Sequence, residues 1–260
     1  MVGLFRRAAA APRKVSRATR RLTHAAGLTA NIAACMRRLE LLDAKGLDAD
    51  GERLSFLQWL AGNVCAIHGI EVELLGADVL ARTIETPAIV VANHISYVDP
   101  LAILARVPAF SIAKKEVAQW PFLGQVATQL GMIPYRRGDP FDGAQVLRRC
   151  EHVLRRGHRL LAFPEGTTTH GNDVAAFHRG VFFLAKRCGV PVVPVALRYS
   201  TQGAAWVGDQ TFLPHYVKTT MRSVTRVSLQ VCSGISPGRF ASARALADRT
   251  RAVIASAVRG

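Results

Sequence analysis

A mixed, mostly parallel α/β fold flanked by helices is predicted by three features of this sequence. Short apolar runs recur along most of its length. Segments with helical periodicity lie between them, and turns rich in Gly, Pro, Asn and Asp separate the two kinds. Alternation of buried strand and amphipathic helix is the pattern of a sheet covered on both faces. Residues 70–75 (IEVELL) alternate as a half-buried strand does, and residues 88–92 (AIVVA) form a continuous apolar run, as in a strand buried on both faces. Residues 99–106 predict a short helix, 109–113 a strand, 115–130 a helix bent at Pro121, and 132–135 a short strand. Residues 139–156 predict a helix whose apolar face carries Val146, Leu147, Val153 and Leu154. A strand follows at 159–163 (RLLAF), a helix at 174–188, strands at 192–197 and 224–232, and a closing amphipathic helix at 241–258.

The start of the chain differs in composition. Nine Lys and Arg precede the first acid, Glu40. We read residues 1–69 as a basic, apolar, helical segment and residues 70–260 as the main domain. The two apolar stretches in the first segment are too short and too polar for a spanning helix. Residues 13–21 interrupt any leader-like apolar region with Arg13, Lys14, Arg17, Arg20 and Arg21. A basic amphipathic segment suits the anionic surface of a membrane, with each cation worth about 1 kcal/mol there. The expected location is therefore the cytoplasmic face of a membrane, peripheral or monotopic. The net charge of +16 favours anionic partners in general. Nucleic acid is not expected, because the sequence has no helix-turn-helix, zinc finger or aromatic RNA-binding strand. Five scattered cysteines predict reduced, buried thiols rather than a disulfide framework. No His, Cys or Asp grouping has metal-site spacing; His170 with Asp173, and His152 with His158, have no Cys partner, so no metal is expected.

Chemistry concentrates at strand ends. Asn93-His94-Ile95-Ser96-Tyr97-Val98-Asp99 follows the most apolar strand, and the carboxyl ends of strands are where open α/β sheets bind ligands. His94 is the natural general base near neutral pH. Asp99, five residues on across a tight turn, is placed to accept the other ring N–H and fix the tautomer. Asp99 followed by Pro100 is also an ordinary helix start. A second cluster, from Gly131 to Gly138, brings Arg136 and Arg137 to a strand end, where guanidinium groups bind phosphate well. A third is Phe163-Pro164-Glu165-Gly166-Thr167: Glu165 offers an acceptor for a substrate hydroxyl, and glycine allows close backbone approach. Arg179 adds a cation in front of a helix. Ser96 lacks the Gly-x-Ser-x-Gly elbow of a hydrolase, so any hydroxyl that His94 activates belongs to a substrate.

The order and spacing of these clusters resemble the lysophospholipid acyltransferase family, glycerolipid acyltransferases related to bacterial 1-acylglycerol-3-phosphate acyltransferase. Asn93, His94 and Asp99 match NH(x4)D; Gly131, Ile133 and Arg137 match GxIxxxR; residues 163–167 match FPEGT; Pro194 matches the Pro-bearing strand. The resemblance covers residues 70–235. It implies transfer of a fatty acyl group from acyl-CoA or acyl carrier protein to a lysolipid hydroxyl, with no cofactor. It implies that His94 is the base, Asp99 its orienting partner, and Asn93, Arg137, Glu165, Gly166, Thr167 and Arg179 the substrate-binding set. Arg137 would take the acceptor phosphate and Glu165 the acceptor backbone, with amides near Gly166 facing an oxyanion. The sequence departs from the family where Thr168 replaces the Arg that commonly ends the third motif. Residues 205–209 and 213–215 are similar to members that acylate lyso-ornithine lipid, which is the alternative acceptor.

Overall fold

The computed structural model describes residues 11–83, 87–119, 123–136, 140–200, 205–207 and 224–260. Two helices lead, α1 (Ala11–Ala44) and α2 (Asp50–His68), and the main element order follows from β1 (Ile70–Leu75). Next come α3 (Ala77–Thr83), β2 (Ile89–Ala92), α4 (Asp99–Leu104), β3 (Phe110–Lys114), α5 (Lys115–Ala118), α6 (Leu123–Gln129) and β4 (Ile133–Tyr135). The chain continues through α7 (Pro140–Arg155), β5 (Leu160–Ala162), α8 (Gly180–Cys188), β6 (Val192–Tyr199), β7 (Thr225–Val231) and α9 (Ala243–Arg259).

The strands make a seven-stranded sheet in the order β1-β7-β6-β2-β5-β3-β4. Every pairing is parallel except β6 with β7, so the expected mixed, mostly parallel sheet is present. The central strands explain why their sequences read as unbroken apolar runs. Ile89 and Val91 of β2 enter the core on one face, beside Leu160, Ala162, Phe182, Leu246 and Ile254. Val90 and Ala92 enter the core on the other, beside Ile103, Leu161, Val193 and Leu197. Successive side chains alternate between two cores, each covered by helices.

Helix α2 is built into this body. Leu54 joins the first core and Ala61 and Cys65 the second, while Leu39 of α1 packs with Val126 and Leu130 beside α6. Among the described residues no helix is long and apolar enough to cross a membrane. Burial pushes the Cys65 thiol up to about 11 and the Cys150 thiol up to about 12, and all five cysteines are free.

Two sequence expectations are corrected. The single bent helix over 115–130 is two short helices, α5 and α6; the bend at Pro121 lies outside the described residues. The helix expected over 174–188 begins only at Gly180, since 164–179 is an irregular loop. Its apolar residues Val174 and Phe177 are buried as anchors of that loop, which mimics a helical face in sequence. Helix α3 was not anticipated. Gly131 carries a positive φ of 87°, and a Cβ there would meet the Phe110 ring at 2.5 Å, so the glycine that opens β4 is fixed by close packing.

Candidate active site

Strands β2, β5 and β6 run side by side and present their carboxyl ends together. The chain leaves β2 through Asn93, whose side chain is fully buried and bridges to β6: Nδ2 donates to the Leu197 carbonyl at 3.1 Å, and Oδ1 accepts from the Leu197 amide at 2.7 Å. Its amide is thus spent on a reciprocal cross-link between strand ends. The expectation that Asn93 contacts substrate meets that geometry directly.

His94 comes next, with 21% of its side chain exposed. Its Nδ1 lies 2.8 Å from Asp99 Oδ2, and a carboxylate partner puts the proton on Nδ1 and leaves Nε2 as the basic nitrogen. The Phe163 ring stacks on the imidazole at 4.2 Å between centroids, 24° from parallel, and holds its plane. Asp99 is fully buried and caps backward rather than forward. Besides the imidazole, Oδ2 accepts the amides of Ile95 (2.5 Å) and Ser96 (2.8 Å), while Oδ1 accepts the Tyr199 hydroxyl at 2.5 Å. The tight turn between His94 and Asp99 is therefore wrapped around one carboxylate.

Glu165 sits on the turn after β5, 5% exposed. Oε1 accepts the His94 amide at 2.6 Å and Oε2 accepts the Ala175 amide at 2.8 Å. Burial raises its pKa, opposed by the two amide bonds and by His94. Gly166, at φ 69°, closes the turn by donating its amide to the Phe163 carbonyl at 3.1 Å. Thr167 is exposed on the same turn. Arg179, also exposed, is the N-cap of α8 at the far end of the loop, with no recorded contact to His94. Arg137 lies outside the described residues.

Several contributors were not anticipated. Thr169 clasps the His94 carbonyl with its amide (2.8 Å) and its hydroxyl (3.1 Å). The hydroxyl of Thr168 donates to the Trp206 carbonyl, and the Trp206 amide donates to the Ile95 carbonyl at 2.9 Å. The Trp206 ring meets Tyr97 edge-on at 5.8 Å. Residues 205–207 therefore strap the segment that carries His94. Arg251 of α9 reaches the carbonyls of Val174 (2.7 Å) and Ala175 (3.0 Å), pinning the loop from behind. Among the described residues no group of His, Cys, Asp and Glu could hold a metal ion.

The strand ends of an α/β sheet thus lock an imidazole to a buried carboxylate, an arrangement that suits proton transfer from a hydroxyl. The family model described as Acyltransferase matches residues 71–198, and these residues form a domain of that family. Its relatives include a lyso-ornithine lipid O-acyltransferase of Pseudomonas aeruginosa, 34% identical over 175 residues, covering 65% of this chain and 66% of that one. A chloroplastic 1-acyl-sn-glycerol-3-phosphate acyltransferase of Arabidopsis thaliana is 31% identical over 140 residues, covering 54% of this chain and 38% of that one. The chain thus spans two thirds or less of the length of these curated relatives. The crystal structure of a 1-acyl-sn-glycerophosphate acyltransferase from Thermotoga maritima shares the fold, with a TM-score of 0.66 at 23% identity over 95% of this chain and 96% of that one.

Proposed function

We propose that the protein is an O-acyltransferase that moves a fatty acyl group from a thioester, acyl-CoA or acyl carrier protein, to the free hydroxyl of a lysolipid. The His94–Asp99 pair at the end of β2 carries the reading. His94 Nε2 takes the hydroxyl proton as the oxygen attacks the thioester carbonyl. The tetrahedral intermediate collapses to the new ester, and the departing thiolate takes the proton back from the imidazolium, so no acyl-enzyme forms. Support for direct transfer comes from Ser96, which is fully buried and is hydrogen-bonded within the turn, so this serine does not stand ready as nucleophile. Asn93 and Glu165 serve as positioning residues, because their polar atoms are held on backbone groups. No cofactor is needed in this chemistry.

The acceptor that the motif arginine Arg137 fits is 1-acylglycerol-3-phosphate, with Arg179 at the N-cap of α8 as a second cation and Thr167 on the turn between. Lyso-ornithine lipid is the second reading. It is favoured by Thr168, whose hydroxyl is spent on the Trp206 strap where the motif commonly has Arg, and by the longer match to lyso-ornithine lipid acyltransferases. The basic start of the chain suits peripheral attachment to an anionic membrane surface, and the cytoplasmic face is the proposed location. Purified protein given acyl-CoA or acyl carrier protein, with lysophosphatidate and lyso-ornithine lipid side by side, tests all of this. Diacyl product that vanishes in His94→Ala supports it, whereas no product with either acceptor refutes it.

A further inference from the structure

His94 and Asp99 are half of a longer chain of contacts. The last residue of β6, Tyr199, lies a hundred positions along the chain from Asp99 and donates its hydroxyl to Asp99 Oδ1 at 2.5 Å. An O–H···O⁻ bond of that length is charge-assisted and among the stronger kinds. The Ser96 hydroxyl contacts the Tyr199 oxygen from the turn itself. Tyr199 is partly exposed as a residue, yet its hydroxyl is buried, and burial next to Asp99 raises its pKa and keeps it a donor.

We infer that Tyr199 is a positioning residue for acyl transfer, drawing charge from Asp99 Oδ1 and thereby setting how strongly Asp99 Oδ2 stabilises a protonated His94. This rests on the reading of His94 as general base. The surroundings isolate the effect. Glu165 is the other carboxylate facing the pair, from the turn after β5, and its oxygens are already held by amides. From α2, Cys65, whose thiol burial pushes up to about 11, lies near Tyr199. Val227 of β7 lies opposite Tyr199 in the sheet. The partition of one carboxylate's charge between its two oxygens is therefore the variable that Tyr199 controls.

Losing the hydroxyl concentrates the carboxylate charge on the bond to His94, which favours imidazolium. Tyr199→Phe should move the acid limb of kcat/KM against pH upward by about half a unit or more. Site-specific 3-fluorotyrosine at 199, a stronger donor of nearly the same shape, should move it downward. The same two shifts should appear in an NMR titration of the His94 ring, read on the folded protein without substrate. Opposite displacements for the two variants support the inference. A His94 titration that is unmoved in fluorotyrosine-199 protein overturns it, even if Tyr199→Phe does not fold. Because the titration needs no turnover, absence of acyl transfer by the wild-type protein would instead overturn the enzymatic reading and leave the ring measurement informative.

Discussion

The Glu165 carboxylate receives the backbone amide of His94 at 2.6 Å on one oxygen and the amide of Ala175 at 2.8 Å on the other. It therefore ties together the two loops that flank the reacting centre. The His94 backbone is gripped on both sides, since Thr169 holds its carbonyl from the same segment.

Glu165→Gln should weaken this grip, because an amide side chain offers only one acceptor oxygen and must turn its NH2 toward a backbone N–H. A lost buried bond of this kind costs about 1–3 kcal/mol. The pH dependence of stability should change as well. The Glu165 pKa is raised in the folded protein, so its contribution is fully present below the unfolded value and is lost as pH rises through the folded value. Chemical denaturation from pH 4 to 8 checks the sign: the wild-type protein should lose stability relative to Glu165→Gln as pH rises through this window. Gain instead would show that the two amide bonds outweigh burial.

His94→Ala should lower kcat by about 10²–10⁴-fold while leaving the fold intact. Asp99→Asn should also lose activity, and in addition stability, because the two turn amides would then share a neutral acceptor. Steady-state kinetics beside circular dichroism melts separate the two effects. Near-normal turnover in a folded His94→Ala protein would rule out its role as base.

These two residues were legible in sequence because a tight turn obliges positions five apart to meet, and the strands were legible because each is buried on both faces. Glu165 was legible as a residue at that strand end, but its two backbone partners were not. Its partners are amides, which every residue has, so no side-chain pattern announces them. Tyr199 and Trp206 were illegible for a different reason, since only the sheet order brings β6 and the strap to the turn after β2. The early helix boundary at 174 failed because Val174 and Phe177 imitate an amphipathic face while serving as loop anchors. There Asp173 caps the Val174 amide at 2.8 Å and Arg251 takes the carbonyls.

Asn93→Ala should destabilise the protein by about 2–4 kcal/mol, as it leaves both the amide and the carbonyl of Leu197 without their buried partner. Urea unfolding measures the loss. Activity at low temperature, where the variant remains folded, should fall less than for His94→Ala. A fall as deep as that of His94→Ala in fully folded protein would return Asn93 to the substrate-binding set.

Thr168→Arg probes the choice of acceptor. In the present chain the Thr168 hydroxyl is bound to the Trp206 carbonyl, and Trp206 in turn is bound to Ile95 beside the His94 imidazole. Arginine at 168 would release the strap from that side and add a guanidinium to the turn that bears Glu165. A guanidinium recognises phosphate through paired charge-assisted bonds. In direct competition, the ratio of phosphatidate to ornithine lipid formed should rise about tenfold or more, the size expected of one such contact. Thr168→Val removes the hydroxyl that holds the strap without adding the charge, so it should lower selectivity without favouring the phosphate. If both variants change the ratio equally, the strap alone governs the choice. If neither changes it, the headgroup is read elsewhere, and Arg137 becomes the residue to replace next.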